Sequence, residues 1–177
     1  MHKIYFATSN LHKFEEASKT LKQYCPNIEL VHFSFTYSEI RSDQLEEVAK
    51  EAALAAYSIL KKPVFVDDTG LFIDYLNGFP GTYSAWVLKK LGNSLILKLL
   101  KEVTKRSAYF KTAVAFASSS KNVEIFTGEA RGKISQNLSG KDGFGYDKIF
   151  IPARYNKTFA ESIILKNRGK SNIYFHQ

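Results

Sequence analysis

Two adjacent aspartates, Asp67 and Asp68, are the residues of this sequence best placed to do chemistry. The apolar, β-branched and aromatic residues before them predict a buried strand over Pro63–Asp67, which ends at the carboxylates and is followed by a Thr-Gly turn. In an open α/β sheet, ligands bind just beyond the carboxyl ends of the strands. Neighbouring carboxylates repel each other unless a cation relieves them, and Mg²⁺ commonly binds one or two carboxylates together with substrate phosphate. The structural alternative is that Asp67 is solvated and Asp68 caps a helix or turn.

A polar cluster from Thr8 to Lys13 falls between a predicted strand and a predicted helix. Thr8, Ser9 and Asn10 offer side-chain hydrogen bonds, the helix N-terminus offers N–H groups, and Lys13 adds a positive charge. Together they indicate a phosphate-binding turn, although it lacks the glycines of a P-loop. An ordinary N-cap followed by an exposed lysine gives the same pattern.

Glu39 follows the second predicted strand, Ile28–Phe35. A lone glutamate in a loop is usually only solvated. If this strand lies beside the one that carries Asp68, however, Glu39 reaches the same edge of the sheet and can share a metal ion with Asp68.

Glycines alternate with aromatic residues over Gly143–Asp147. This is a poor pattern for a core strand but a good one for a binding platform: a planar base can stack on Phe144 or Tyr146, while Asp147 or the backbone at Gly145 reads its edge. The alternative is a tight turn whose aromatic side chains pack inward.

The elements that must position these residues alternate in a β-α-β-α-β order and predict an α/β fold. The early strands are expected to be parallel and a later hairpin antiparallel, in one mixed sheet with helices forming two lobes around a central cleft. A single domain over residues 1–177 is expected. The later predicted elements are a helix from Ser42 to about Leu60, a helix from Ser84 to about Lys105 broken near Gly92-Asn93, and a hairpin of Tyr109–Ser118 and Val123–Ile134.

Composition limits the classes of function. The hydrophobic residues, 45% of the 177, suffice for one core, and none of their runs approaches the roughly 20 residues of a membrane span. One cysteine and no zinc-like Cys/His spacing fit a reducing cytosol, so a cytoplasmic location is expected. The 25 Lys and Arg exceed the 17 Asp and Glu by 8, but they are scattered, which favours a small anionic ligand over nucleic acid. A basic RNA-binding module is the remote alternative.

Five segments in order resemble the inosine triphosphate pyrophosphatase, or Ham1, family over nearly the whole chain. They are FATSNLHK, FVDDTGLF, Gly78–Ser84, Gly143–Asp147 and Thr158–Glu161. The resemblance implies cytosolic, Mg²⁺-dependent hydrolysis of ITP, dITP and XTP to the monophosphate and pyrophosphate, in a cleft between two lobes of a protein that is usually a homodimer. A purine nucleotide-binding protein with little or no turnover is the alternative.

The resemblance also implies roles for individual residues. Glu39 and Asp68 match metal-binding carboxylates, and Asp68 also matches the proton acceptor that activates water. The other matches are Thr8 to Lys13 as the phosphate-binding segment, Thr69 near the substrate, Phe144 to Asp147 as the base-binding platform, and Lys166 as a substrate contact.

The chain departs from the family pattern after Lys166-Asn167. Family members continue into Ser-His-Arg, whereas Arg168 follows directly here. Either the Ser-His pair is deleted and Arg168 takes the place of the family arginine, or the motif is lost. Because the family His-Arg pair helps to read the 6-keto group, we expect weak discrimination against GTP and ATP.

Overall fold

The computed structural model describes residues 2–37, 40–141 and 143–162. The described residues form seven strands, three α-helices and two short 3-10 turns. The strands are β1 His2–Ala7, β2 Ile28–Phe33, β3 Val64–Ile73, β4 Pro80–Gly81, β5 Ser107–Ala117, β6 Val123–Ile134 and β7 Phe150–Pro152; the helices are α1 Leu11–Tyr24, α2 Leu45–Leu60 and α3 Ser84–Leu99; the 3-10 turns are Asp74–Leu76 and Phe159–Glu161.

All seven strands belong to one mixed sheet with the order β2-β1-β3-β5-β6-β7, and β4 pairs with β3. Strand β1 is parallel to β2 and to β3, whereas β4 is antiparallel to β3 and β7 is antiparallel to β6. The five residues that join β5 to β6 are too few for a parallel crossover, so these neighbours form the predicted antiparallel hairpin. The predicted α/β fold with a mixed sheet is confirmed.

The prediction that this strand, β3, ends at the aspartates is wrong. It runs for 10 residues, from Val64 to Ile73, so Asp67 and Asp68 lie in its middle and the Thr-Gly pair is not a turn. Gly70 is required within the strand because a Cβ there would lie 2.4 Å from the carbonyl oxygen of Gly81 in the paired strand β4. Gly70 therefore allows two backbones to approach each other closely, and it does not mark a change of chain direction.

The strand order also overturns the premise behind the shared metal site of Glu39 and Asp68. Strand β2 pairs with β1 and not with β3, since β1 lies between them. The carboxyl ends of the three parallel strands still lie at one edge of the sheet.

The helices largely follow their predicted patterns. Helix α2 has the predicted apolar side, which is buried. Helix α3 is interrupted at Gly92, whose φ of 68° and ψ of 178° are not helical, as the Gly92-Asn93 pair predicted, but it ends at Leu99, short of the predicted end. The buried residues of α2 are Leu45, Val48, Ala49, Ala52, Ala53 and Ala56.

The chain divides into two compact units. Unit 1 contains the described residues up to Asp68 together with Thr112–Thr127, and unit 2 contains Thr69–Lys111 and the described residues from Gly128 onward. The predicted single-domain organisation stays a prediction. Among the described residues, no helix is both long enough and apolar enough to cross a membrane.

Unit 2 has a core of aliphatic and aromatic residues that includes Leu71, Phe110 and Phe150. Beside it, the buried Arg106 donates hydrogen bonds to the carbonyl oxygens of Leu100, Ile134 and Ser135. Burial lowers the pKa of Arg106 because desolvation penalises the charge. Arg106 thus satisfies three backbone carbonyls at the edge of the core.

Candidate active site

The Thr8–Lys13 segment forms a fixed turn between β1 and α1. The backbone N–H of Thr8 donates to Phe33 (3.1 Å), and the N–H of Asn10 donates to the Thr8 hydroxyl oxygen (3.1 Å). The Asn10 side-chain oxygen accepts hydrogen bonds from the N–H groups of His12 (3.0 Å) and Lys13 (3.4 Å). Asn10 is therefore the N-cap of α1, and its side chain occupies two N–H groups that the sequence suggested for phosphate.

Sequence reasoning missed His32, which supports this turn from β2. Its Nε2 lies 2.9 Å from the Thr8 carbonyl oxygen, and since a carbonyl can only accept, Nε2 carries the proton in this contact. The ring also packs at a centroid distance of 4.9 Å from Phe14 of α1. The predicted parallel arrangement of the first two strands could have indicated this contact, because the pairing of β1 with β2 sets their carboxyl ends side by side.

Lys13 reaches from α1 to β3 and pairs with Asp67. Its Nζ lies 3.0 Å from Asp67 Oδ2 and donates to the Asp67 carbonyl oxygen at 3.4 Å. Both side chains are largely shielded, with exposures of 25% for Lys13 and 16% for Asp67. The sequence suggested either a solvated Asp67 or a pair of carboxylates whose repulsion a cation such as Mg²⁺ relieves, and the cation beside Asp67 is the Lys13 ammonium group.

Asp68 and Thr69 follow Asp67 in β3, and both are partly buried. The structure thus brings Lys13, Asp67 and Asp68 of unit 1 to the level of the sheet where β1 has ended at Ala7. This arrangement offers a cation for phosphate and a carboxylate for proton transfer. Helix capping by Asp68, the structural alternative, does not apply because Asp68 lies inside a strand.

The Gly143–Asp147 segment of unit 2 is a turn that Asp147 holds together. The Phe144 N–H donates to Asp147 Oδ2 (3.0 Å), and the Asp147 N–H donates to the Phe144 carbonyl (3.2 Å). Gly143 allows this because a Cβ there would lie 2.7 Å from Asp147 Oδ2. The buried Asp147 carboxylate therefore shapes the turn, and its use as a reader of the base edge stays a prediction.

The two aromatic residues of this turn differ in exposure. Phe144 is 40% exposed, as a stacking surface requires, whereas Tyr146 is 4% exposed and belongs to the core of unit 2. The Tyr146 hydroxyl donates to the Ser84 carbonyl oxygen at 2.8 Å, and burial raises its pKa. The inward-packed alternative is thus correct for Tyr146, because its ring fills the core and its hydroxyl anchors the turn to α3.

Gly145 presents open backbone between these aromatic residues. Its φ is +65°, and a Cβ built on it would meet nothing within 4 Å among the described residues. Its carbonyl accepts a hydrogen bond from the side chain of Asn93 (3.1 Å), the residue after the break in α3. The predicted contact of a base with the backbone at Gly145 stays a prediction, and Asn93 is a support that the sequence did not reveal.

Three predicted site residues, Glu39, Lys166 and Arg168, lie outside the described residues. Within the described ranges, no three or more His, Cys, Asp or Glu side chains come together as a metal site. A Mg²⁺ ion held mainly by substrate phosphates needs only one or two carboxylates. The carboxylate oxygens of Asp68 therefore fit that kind of ion, and a closed protein cage is not formed by these residues.

Comparison with known proteins identifies the family. The family model described as the Ham1 family matches residues 4–171. This chain belongs to the Ham1 family. Two curated relatives are named dITP/XTP pyrophosphatase: the one from Hyperthermus butylicus is 46% identical over 89% of this chain and 82% of its own length, and the one from Saccharolobus solfataricus is 45% identical over 94% and 85%.

Solved structures agree with this family assignment. The Ham1 protein of Coxiella burnetii matches with a TM-score of 0.85 at 28% identity, covering 98% of this chain and 92% of that chain. The Staphylococcus aureus Ham1 protein matches with a TM-score of 0.81, also at 28% identity, covering 97% and 91%. The resemblance predicted from five short segments is confirmed, and the described residues have the fold of Ham1 proteins.

Proposed function

We propose that this Ham1-family protein hydrolyses dITP, XTP and ITP to the nucleoside monophosphate and pyrophosphate. The observation that carries the proposal is the 46% identity to a relative named dITP/XTP pyrophosphatase, across most of both chains. The described geometry supports it, because Lys13 in the first turn of α1 pairs with Asp67, the neighbour of Asp68 in β3, and a helix N-terminus can bind phosphate.

On this proposal, the Thr8–Lys13 segment and the middle of β3 supply the groups that act on the triphosphate. Lys13 neutralises phosphate charge, the Thr8–Asn10 turn adds polar contacts, and Asp68 accepts a proton from the attacking water. Thr69 lies next to Asp68 and contacts the substrate. Mg²⁺, when bound by Asp68 together with Glu39 and the phosphates, supplies further charge neutralisation.

The purine base is held by groups of the Gly143–Asp147 turn on the same proposal. Phe144 stacks on the ring, and the open backbone at Gly145 allows close approach. Lys166 and Arg168 add polar contacts to the substrate, as the family resemblance implies. Weak discrimination against GTP and ATP follows if Arg168 alone reads the 6-keto oxygen.

We also propose that the protein is a cytoplasmic homodimer. Four large aromatic side chains are exposed within twelve residues of unit 2: Tyr75, Phe79, Tyr83 and Trp86. Such a concentration is typical of surfaces that another chain covers. The single cysteine, Cys25, is exposed and free, which fits a reducing compartment.

A substrate panel tests the proposed reaction. The purified protein is incubated with dITP, XTP, ITP, GTP and ATP, with and without Mg²⁺, and the monophosphate and pyrophosphate are quantified. We expect one pyrophosphate per monophosphate from the first three nucleotides, and only with the metal. Nucleotide binding without pyrophosphate release would overturn the proposal in favour of a binding protein, and release of inorganic phosphate alone would assign a different bond.

A further inference from the structure

Asp67 is an ionisable side chain at the candidate active site to which the proposed reaction gives no role. Its carboxylate lies 3.0 Å from the Lys13 ammonium, and its carbonyl oxygen accepts from the same group at 3.4 Å. One residue of β3 therefore holds the end of the Lys13 side chain at two points. The two residues are 54 positions apart in the sequence, so the pairing depends on the fold.

This pair differs from the ion pairs on the surface. Lys3 and Glu29 in unit 1 lie 3.5 Å apart with exposures of 58% and 42%, whereas Lys13 and Asp67 are exposed by 25% and 16%. Exposed pairs contribute little because water and salt screen them. A shielded pair interacts more strongly, and loss of one partner leaves the other charge poorly solvated.

The second oxygen of Asp67 is also unusual. Oδ1 is buried and has no hydrogen-bond partner among the described residues. A buried carboxylate oxygen without a partner is costly, so the position would be better filled by an apolar or neutral residue if only stability mattered. Its presence, fixed against Lys13, points to a functional requirement for the charge.

We propose that Asp67 is a positioning residue that acts through Lys13. This inference rests on the proposed function. Asp67 holds the ammonium group at one place before the triphosphate arrives, so that Lys13 meets the charge that develops on the phosphates in the transition state. A flexible lysine would bind the ground state almost as well, but it would stabilise the transition state less.

Kinetics of a double-mutant cycle test this role. The cycle compares the parent chain, Asp67→Asn, Lys13→Ala and the double variant in dITP hydrolysis. We expect Asp67→Asn to lower kcat about tenfold with less than about a threefold change in KM, because Lys13 keeps its charge but loses its placement. In the Lys13→Ala background, the same substitution should change kcat less than about twofold.

Stability supplies a readout that does not depend on turnover. Lys13→Ala should lower Tm by several degrees, because it removes the ammonium from a shielded carboxylate, and adding Asp67→Asn should restore most of the loss. The matched control is the exposed pair, with Lys3→Ala, Glu29→Gln and their double variant, which should shift neither Tm nor kcat.

The outcomes separate this inference from the proposed function. If the parent chain releases no pyrophosphate, the proposed function fails and the positioning role falls with it. If the parent is active but Asp67→Asn lowers kcat equally in both backgrounds, Asp67 acts directly on substrate or water and the inference alone is wrong. An unchanged kcat in Asp67→Asn, or no recovery of Tm in the double variant, would also overturn it.

Discussion

At the scale of single residues, the candidate site depends on side chains that build it as much as on side chains that reach a ligand. Asn10 caps α1, and Asp147 holds its own turn through the Phe144 N–H. Both were predicted from the sequence as substrate contacts. Residue type and spacing indicated candidate segments, but they could not tell which polar groups already form hydrogen bonds with the backbone.

Phe144 is proposed to stack on the purine base, and its removal tests that contact. Phe144→Ala should raise KM for dITP about three- to tenfold with little change in kcat, because stacking contributes about 0.5–1.5 kcal/mol to binding of the base. Steady-state kinetics measure this effect. Phe126→Ala, which removes a phenylalanine that is 55% exposed on β6, is the control and should change neither constant. Equal KM values for Phe144→Ala and the parent would remove Phe144 from the base site.

At the scale of elements, the alternation of strands and helices was predictable, and the connections in space were less so. Apolar periodicity placed α2, and a glycine marked the break in α3. The continuation of β3 through the aspartates was not predicted, because a Thr-Gly pair is locally typical of a turn. The pairing of β3 with β4, which explains Gly70, is known only from the folded structure. The position of β1 between β2 and β3 likewise depends on tertiary structure and cannot be predicted from a local sequence pattern.

The contact between Tyr146 and α3 gives a prediction about stability. Tyr146→Phe should lower the free energy of unfolding by about 1–3 kcal/mol, because it removes a buried hydrogen bond and leaves the Ser84 carbonyl without this donor. Urea denaturation measures the change. Tyr155→Phe, at a tyrosine that is 48% exposed, should be neutral. A Tyr146→Phe protein as stable as that control would show that the hydroxyl does not anchor the turn.

At the scale of the whole molecule, the positive net charge suits a protein that handles an anionic nucleotide. The net charge of +8 attracts polyphosphates over a distance, while the shielded Lys13–Asp67 pair acts only on contact. The groups proposed to act on the triphosphate lie in the Thr8–Lys13 segment and in β3, and the turn proposed to hold the base lies between β6 and β7. The sequence predicted both sets of residues from family-like motifs rather than from physical chemistry alone, since each motif by itself also had a structural explanation.

Water activation by Asp68 is tested by pyrophosphate release from dITP by the parent chain and by Asp68→Asn, measured side by side in the presence of Mg²⁺. The substitution keeps the size of the side chain and removes its basicity, so we expect the rate to fall at least about a hundredfold while circular dichroism shows an unchanged fold. Asp43→Asn, at an exposed position before α2, should retain the parental rate. A folded Asp68→Asn protein with the parental rate would contradict the account, because water activation would then not depend on this carboxylate.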